Sequence, residues 1–406
     1  DQYLELLQMH RQFFSQHIFA TYMATVPVGI ISGVANAVGR PDLLLPIIAG
    51  FGEVDSAEPS HAMWDMGRTV RNSEELSSIF DKGINGLLDA INQSGSDETK
   101  QFLVDFESFV YEYGSRGPNE WETRSPTWET RPELALSAID RMRLAGDELA
   151  PKAQNAQRAQ QRQEAAAELL AMVEGDPEVH GELSAGIAAS AAWLPARERT
   201  KTNNIRLIHE MRMRMRAIGD QMVQVGAFDE IEDFGFVTDG EYPGLFENPD
   251  SMLETIRSRR VEYYKLLERE AQFLFDGEAD HPETWRRRDA VAEDVLGEGE
   301  SLQGMPGCTG QAEGIARVLL DSNDPGALEP GDILVAPLTD PSWTPLFVPA
   351  GAVVVDVGAP LSHAIIVSRE LGIPCVVSAT DATRRIPDGA RISVNGDTGL
   401  VTILST

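Results

Sequence analysis

The segment Val357–Val377, VGAPLSHAIIVSRELGIPCVV, decides how the last hundred residues fold. Its middle predicts a helix over Ser362–Leu371, because Ser362 can act as the N-cap and Gly372 stands just past the end. A strand ending at Asp356 precedes this helix, and a short apolar run follows it. The segment therefore predicts a strand–helix–strand unit of an α/β domain.

Short apolar runs alternate with Gly- and Pro-containing turns on both sides of this segment. The predicted strands are Ile315–Leu320, Ile333–Ala336, Ala352–Asp356, Cys375–Val377, Arg391–Val394 and Leu400–Leu404. Glycines are frequent from Gly297 to Gly307 and predict a flexible linker. We therefore expect a small β-rich α/β domain over 308–406, joined through a hinge at 297–307.

The chain before this hinge is predicted to be mainly helical. Leu134–Leu149 and Pro151–Val173 are rich in the helix-favouring residues Ala, Leu, Glu, Gln and Arg. From Ile208 to Met222 apolar residues recur every three or four positions, which fits one helix face, and Ser251–Phe273 predicts a further helix. The predicted fold class is multidomain, α and α/β, with a large helical domain at 1–296.

The composition indicates a folded globular protein with a strong negative charge. Of 406 residues, 34 are Lys or Arg and 64 are Asp or Glu, which gives a net charge of −30. This charge repels polyanions, so we expect no nucleic-acid partner and no docking on anionic lipid. With only Cys308 and Cys375, neither a disulfide framework nor a four-thiolate zinc site is available, and no metal site is predicted.

One stretch is long enough to cross a bilayer. Ile18–Gly39 carries no charge over 22 residues. Pro27, Gly29 and several small or polar residues dilute its apolar character, so we expect buried structure of a soluble protein. No signal or transit segment is recognised at the start of the sequence, and the expected location is the cytoplasm.

His363 is the residue best placed for chemistry. It follows the expected N-cap Ser362, where exposed backbone N–H groups and the helix dipole favour an anion. An imidazole in this place is disfavoured as a cation and remains a neutral nucleophile, whereas a phosphoryl group attached to it would be stabilised. A purely structural role at the helix start fits the same position, so this reasoning leaves both interpretations open.

The quoted segment, with the turn at Asp388–Gly389 and the closing VNGDTGLVTIL, resembles the phosphohistidine swivelling domain of the phosphoenolpyruvate-utilising enzymes. That family includes phosphoenolpyruvate synthase, pyruvate phosphate dikinase, rifampicin phosphotransferase and phenylphosphate synthase. The matching motif positions are Gly358, Ser362, His363, Arg369, Glu370, Gly372, Ile373 and Pro374. Leu361, where dikinases carry Thr, Ser or Asn, and TDPSWTPLF at Thr339–Phe347 look more like the rifampicin phosphotransferase branch.

This resemblance implies that His363 takes a phosphoryl group from ATP at one site and delivers it to an acceptor at another. The glycines of the hinge would absorb the rotation between the two sites. Neither the pyruvate-binding barrel of the dikinases nor a Gly-rich nucleotide loop is recognised in the sequence. We therefore expect ATP and Mg²⁺ (or Mn²⁺) on a separate ATP-grasp subunit; removal of an ATP domain from a longer protein is the alternative.

Three blocks before the hinge resemble the acceptor region of the same branch: Gly50–Arg68, Tyr113–Trp128 and Arg197–Arg212. Arg197 and Lys201 are spaced i, i+4, so both cations can point at one place. The resemblance implies that they contact the phosphoryl group and the acceptor oxygen, where cations stabilise the charge of phosphoryl transfer. A solvated helix face is the alternative interpretation of this pair.

Further residues are expected around the acceptor. The predicted substrate-binding residues are Arg116, Glu120, Ser362, Phe13, Met211 and Met215. A structural ion pair is the alternative for the first two, and ordinary core packing is the alternative for the apolar ones. Candidate general bases are His17, His61 and His209, each of which also fits an ordinary structural role.

Together these features predict a subunit of an ATP-dependent, dikinase-type phosphotransferase that acts on the hydroxyl of a small aromatic acceptor, such as the phenol 4-cresol. A phenol suits this chemistry because its hydroxyl ionises near about pH 10, within reach of two nearby cations. Two alternatives remain open. One is a rifampicin-type antibiotic phosphotransferase without its ATP domain, and the other is a phosphocarrier or regulatory module that docks a protein.

Overall fold

The structure is a computed structural model that describes residues 2–51, 54–55, 57–147, 150–272, 275–288, 290, 294–321, 328–340, 343–360 and 362–406. Leu361, whose identity favoured one branch of the family, lies outside the described residues, as do Leu149 and Phe273. The two helices predicted to end at Leu149 and Phe273 end earlier, at Leu144 and Leu267. Parts of the quoted blocks, 52–53, 56 and 341–342, also lie outside them.

The chain groups into two compact units. Unit 1 comprises Asp1–Met9, Glu122–Arg124 and Leu207–Glu293, and unit 2 comprises His10–Trp121, Ser125–Arg206 and Asp294–Thr406. Unit 2 thus contains the β-rich region together with most of the helical region. The predicted domain boundaries, 1–296, 297–307 and 308–406, divide the chain differently and stay a prediction.

Helices dominate the chain before residue 294, as predicted. Their bounds are α1 Gln2–Ala37, α2 Leu44–Ile47, α3 Glu58–Asn72, α4 Glu74–Phe80, α5 Leu87–Ser94, α6 Asp97–Tyr113, α7 Glu133–Leu144, α8 Pro151–Met172, α9 Pro177–Gln224, α10 Tyr242–Glu247 and α11 Leu253–Leu267. Short 3₁₀ turns occur at Pro41–Leu43, Ile231–Phe236, Pro249–Met252 and Pro282–Thr284. The expected helix face at 208–222 is the end of α9, which runs for 48 residues with Pro195 inside it.

Unit 1 has its own apolar core. The end of α9 packs there against the 3₁₀ turn, α10 and α11, and the buried residues are Met215, Met222, Ala227, Phe228, Phe234, Phe236, Val237, Leu245 and Ile256. Buried Arg212 donates hydrogen bonds to the backbone oxygens of Thr123 and Glu122 at 3.1 and 3.0 Å. These bonds explain why the short segment Glu122–Arg124 belongs to this unit.

Helix α1 contains the uncharged stretch. By length and composition it could cross a membrane, and about a third of its most apolar window is buried. The expected burial of this stretch is thus only partly right, because Ile18, Phe19, Tyr22 and Val26 are exposed. Core helices of soluble proteins pass the same test, and three α1 residues, Val28, Ile31 and Ala35, pack in an apolar cluster with Leu169 of α8. The finding is therefore not in itself evidence for a membrane span, and the cytoplasmic location stays a prediction.

An eight-stranded sheet forms the C-terminal part of unit 2. Its strands are β1 Ser301–Gln303, β2 Met305–Cys308, β3 Gln311–Val318, β4 Ile333–Ala336, β5 Ala352–Val355, β6 Cys375–Val377, β7 Arg391–Asn395 and β8 Leu400–Ser405, in the order β1-β8-β7-β3-β4-β5-β6-β2. Strands β3 to β6 are parallel neighbours, and the other pairs are antiparallel. Short helices α12 Thr344–Phe347, α13 His363–Leu371 and α14 Ala382–Arg385 complete this part. The predicted helical region followed by a small α/β region is confirmed.

The expected irregular linker at 297–307 is wrong for its second half, because this half forms β1 and most of β2. These two strands occupy opposite ends of the strand order, yet only Gly304 separates them along the chain. The sheet must therefore curl until its two edges meet at Gly304, whose N–H donates to Gly399 O at 2.8 Å. A Cβ at Gly304 would lie 2.6 Å from Val376 Cγ1, so close packing, not flexibility, requires glycine there.

Candidate functional site

Helix α13 begins at His363, as the sequence predicts, and Ser362 occupies the N-cap position with an extended backbone. The Ser362 side chain, however, makes no capping hydrogen bond. Its hydroxyl oxygen is buried and has no hydrogen-bond partner among the described residues. Ser362 therefore occupies the expected N-cap position, but the expected hydrogen bond of its side chain is not formed. The predicted contact of Ser362 with the substrate stays a prediction.

Two threonines hold the His363 imidazole. Thr339 Oγ1 lies 3.1 Å from Nδ1 and Thr344 Oγ1 lies 3.1 Å from Nε2, while the Phe347 ring packs edge-on with its centroid 5.9 Å away. A hydroxyl can donate or accept, so this pair suits a neutral ring that donates from one nitrogen and accepts at the other. The ring orientation is therefore set by three side chains of the segment 339–347.

Cations of the helical region face this imidazole. Burial holds the pKa of His363 well below its usual range, and the charges of Lys201, Arg116 and Arg197 lower it further. The neutral form expected from the helix position is thus favoured mainly by burial and by these cations. The structure brings these four predicted site residues together with a fifth, Glu120, and their roles in catalysis stay predictions.

A buried carboxylate organises two of the cations. Glu120 is fully buried; Arg116 Nη1 lies 3.1 Å from both of its oxygens, and Lys201 Nζ lies 3.0 Å from Oε1. Burial raises the pKa of Glu120, but the charges and hydrogen bonds of Lys201 and Arg116 outweigh burial and hold that pKa below its ordinary value. The ionised carboxylate therefore holds both cations beside His363 and offsets part of their charge.

Helix α9 supplies the remaining contacts of the cluster. Arg116 Nη2 donates to Thr202 Oγ1 at 2.6 Å, and that hydroxyl donates to Glu198 O at 3.0 Å. The Arg197 guanidinium pairs with the adjacent Glu198 carboxylate. Arg197 Nε is buried and has no hydrogen-bond partner among the described residues, so this guanidinium keeps one N–H donor for another ligand.

Sequence reasoning did not identify Thr202, Thr339 or Thr344 as site residues. Threonine has no distinctive pattern of its own, and the last two were quoted only within the block Thr339–Phe347. The same block docks on the second acceptor block, since Asn119 N donates to Asp340 Oδ2 at 2.8 Å. Only the fold brings these separate parts of the chain together.

The other predicted site residues lie elsewhere or act differently. Met211 and Met215 are buried in unit 1, and Phe13 of α1 is partly buried, with its carbonyl oxygen accepting from Asn204 Nδ2 at 3.1 Å. Their contacts with an acceptor stay a prediction. His209 pairs with Arg212 in unit 1 at 3.0 Å. Among the described residues, no group of three or more His, Cys, Asp or Glu is arranged to hold a metal ion.

Comparisons with known proteins show the family of this chain. Residues 14–198 match the rifampicin phosphotransferase fourth domain, and residues 328–399 match the mobile domain of PEP-utilising enzymes. The chain therefore belongs to the PEP-utilising enzymes. Within them it belongs to the rifampicin phosphotransferase branch. In this chain the region that matches the fourth domain of that branch comes before the region that matches the mobile domain.

Several relatives align over most of the chain. Rifampicin phosphotransferase of Streptomyces sviceus is 32% identical over 74% of this chain and 34% of its own length. The uncharacterized phosphotransferase YvkC of Bacillus subtilis is 28% identical over 86% of this chain and 42% of its own length. The prodigiosin synthesizing transferase PigC of Serratia marcescens is 27% identical over 88% of this chain and 40% of its own length. The chain thus spans about a third to two fifths of the length of these relatives.

Proposed function

We propose that this chain is the acceptor-binding and phosphohistidine part of an ATP-dependent phosphotransferase. The observation that carries the proposal is the neutral imidazole of His363 facing Lys201, Arg116 and Arg197. A nucleophile that becomes phosphorylated next to cations is suited to hand a phosphoryl group to a neighbouring acceptor. The names of the relatives support the same reaction class.

In the loading step, the lone pair of the His363 imidazole attacks a phosphorus atom of ATP, and the bond from that phosphorus to the bridging oxygen breaks. In the transfer step, the acceptor oxygen forms a bond to phosphorus, and the electron pair of the P–N bond returns to His363. Arg197 and Lys201 stabilise the charge on the equatorial oxygens. The acceptor hydroxyl loses its proton in this step.

ATP and Mg²⁺ (or Mn²⁺) are proposed to be bound outside this chain, on an ATP-grasp part. The curated relatives are more than twice as long as the region they share with the chain, which leaves room for such a part in them. A separate ATP-grasp subunit, as expected from the sequence, and an ATP-grasp domain of the same polypeptide both fit this proposal. The swing of the β-rich region between the two sites belongs to the same proposal.

The acceptor is proposed to be a small phenol, with 4-cresol as the test compound. Two cations beside the transfer site lower the pKa of a bound hydroxyl. This shift is enough to ionise a phenol, whose pKa is about 10, and is insufficient to ionise an aliphatic alcohol. A rifamycin-type antibiotic is the second candidate acceptor, because several relatives are named rifampicin phosphotransferase.

Phosphoramidate, which phosphorylates imidazoles without ATP, tests the proposal on the full chain alone. We expect mass spectrometry to find a phosphoryl group on His363, and ³¹P NMR to follow its transfer to 4-cresol or to rifampicin. The His363→Ala variant should make no acceptor phosphate even if other histidines are modified. Acceptor phosphate formed by this variant at the unaltered rate would overturn the proposal.

A further inference from the structure

His17 of α1 lies against the part of α9 that carries the site cations. The side chain is 8% exposed, and its Nδ1 is 3.1 Å from Thr200 Oγ1. Thr200 lies between Arg197 and Lys201 in the sequence of α9. A histidine therefore adjoins the two cations that the proposed transfer uses, although it belongs to a distant segment of the chain.

The hydrogen bonds of Thr200 assign the tautomer of His17. The single hydroxyl proton of Thr200 is donated to Arg197 O at 2.9 Å. The hydroxyl oxygen can then only accept from His17, so the neutral imidazole carries its proton on Nδ1. In this tautomer Nε2 carries the lone pair. The ring also makes a hydrogen bond to the backbone of Arg197.

The charges around His17 keep it neutral. Burial lowers the pKa of His17, and the charges of Arg197 and Lys201 lower it further. The Glu198 charge and a hydrogen bond to the Arg197 backbone oppose this fall. These three groups of α9 are the charges that face the ring. Arg197 and Lys201 also lower the pKa of His363, so both imidazoles adjoin the same two cations.

An aromatic surface adjoins His17. The Trp121 ring lies 6.0 Å from the imidazole at 33°, and Phe14 meets Trp121 edge-on at 6.1 Å. Both side chains remain open, with Trp121 38% and Phe14 41% exposed. Flat, partly exposed rings of this kind suit stacking by an aromatic acceptor.

Transfer to a phenol needs a base other than His363. Once His363 is phosphorylated, one of its nitrogens is bonded to phosphorus, and the electron pair of that bond is released only as transfer proceeds. Glu120 is held by Arg116 and Lys201, and Glu198 pairs with Arg197. Among the described groups around these cations, the Nε2 lone pair of His17 is the one suited to accept a proton.

We propose that His17 is the general base of the transfer, an inference that rests on the proposed function. The acceptor O–H bond breaks and its proton moves to His17 Nε2 as the oxygen bonds to phosphorus. The P–N bond to His363 breaks, and its electron pair returns to that imidazole. The His17 imidazolium then releases its proton to solvent. The acceptor ring lies on Trp121 and Phe14 during this step.

Two phenols of different acidity test this role in single-turnover transfer from the chain loaded with phosphoramidate. At mildly alkaline pH 4-cresol is protonated and needs a base, whereas 4-nitrophenol is already ionised. The His17→Gln variant should transfer to 4-cresol roughly 10²-fold more slowly, while 4-nitrophenol changes only a few-fold. Added imidazole should restore part of the 4-cresol rate in His17→Ala.

The matched control is His180→Gln, at the far end of α9, which should leave both rates unchanged. Thr200→Val tests the tautomer separately: removal of the hydroxyl should slow transfer to 4-cresol about tenfold and spare 4-nitrophenol. Equal losses for both phenols, or no loss for either, would overturn the role of His17. If the unaltered chain carries phosphate on His363 and transfers it to neither phenol, the proposed phenol acceptor is wrong, and this inference is wrong with it.

Discussion

Glu120 shows how much a single buried carboxylate can determine in this site. It has no exposed surface and is bonded to two cations that approach from different segments, Arg116 before it and Lys201 on α9. Without this charge the two cations would repel each other in a poorly hydrated place. The carboxylate therefore acts as the organising anion of a site that is otherwise positive.

Replacing this residue by Glu120→Gln should destabilise unit 2 strongly. The change leaves Arg116 and Lys201 without their buried counter-charge, for which a loss of about 3–5 kcal/mol in the free energy of unfolding is expected. Urea unfolding measures this loss. The control is Glu313→Gln, which removes an exposed pair with Arg391 and should change the free energy by less than about 1 kcal/mol. Equal small effects of both changes would contradict the organising role.

Lys201→Ala should separate the two halves of the proposed reaction. Loading of His363 by phosphoramidate should persist, because the nucleophile and its two threonine partners remain. Transfer to 4-cresol should fall by about 10²–10³-fold, since one cation at the developing charge is lost. Quenched single-turnover assays measure both steps, and Lys265→Ala, an exposed lysine of α11, is the control. Loss of loading as well would contradict a role of Lys201 that is confined to the transfer step.

Glu370, near the end of α13, should make stability depend on pH. Burial raises its pKa to about 7, although the charges of Arg158, Arg369 and Arg162 oppose the rise. The folded chain thus holds this proton more tightly than the unfolded chain, so stability is full below about pH 4.5 and is lost as the pH rises through about 7. The loss amounts to at most about 3 kcal/mol.

Denaturant unfolding across this pH range tests the prediction. The unaltered chain should lose stability between about pH 4.5 and 7, and Glu370→Gln should lose much less, because an amide does not titrate. Glu313→Gln serves again as the exposed control and should follow the unaltered chain. Parallel curves for Glu370→Gln and the unaltered chain would show that another group titrates.

At the scale of elements, local patterns sufficed for much of the fold. All six predicted strands and the helix after Ser362 are present, because period, capping and turn residues are short-range signals. Five strands agree with their expected bounds within one residue, whereas β3 begins at Gln311 instead of Ile315. Strands β1 and β2 were missed, since their glycines and proline are typical of a linker and the pairing partners are distant in sequence. Pro195 inside α9 likewise gives no local sign that the helix continues.

Part of the candidate site was likewise predictable from the sequence. The i, i+4 spacing of Arg197 and Lys201 predicts that both point one way, but only the fold shows what they face. The threonines that hold His363 and the position of His17 beside α9 depend on contacts between distant segments. Such contacts leave no periodic trace in a single sequence.

The two halves of the predicted linker should respond differently to the same change. Gly304→Ala would place a methyl group 2.6 Å from Val376 Cγ1 and 2.7 Å from Val377 O, and should reduce the free energy of unfolding by roughly 1–3 kcal/mol. Gly297→Ala meets nothing closer than 3.8 Å and should change it by less than about 0.5 kcal/mol. Thermal and urea unfolding compare the stability of the two variants, and equal effects would argue against the close packing at Gly304.

At the scale of the whole molecule, the net charge of −30 contrasts with the cations gathered around His363. A phosphoryl group there would be surrounded by Arg116, Arg197 and Lys201 in an otherwise acidic protein. Charge-assisted hydrogen bonds to such a group are stronger than neutral ones. We therefore expect the site to favour the proposed phosphorylated histidine, while the net negative charge of the protein repels other anions.

Loading His363 should therefore raise thermal stability. A gain of about 1 kcal/mol in the free energy of unfolding corresponds to a rise of roughly 2–4 °C in the melting temperature of a domain of this size. High salt should reduce this gain where the interacting charges are partly exposed. Calorimetry of the chain before and after treatment with phosphoramidate measures the shift. His363→Ala treated in the same way should show no shift, and an equal shift in this variant would assign the effect to other histidines.

The meeting of both sheet edges at Gly304 also has a mechanical consequence. A force on the chain ahead of Ser301 first reaches β1, which pairs with β8 over three residues. One residue later the chain continues into β2, which pairs with β6 at the other edge. A pull on this segment is therefore resisted first by the pairing of β1 with β8, and then by the pairing of β2 with β6 at the other edge.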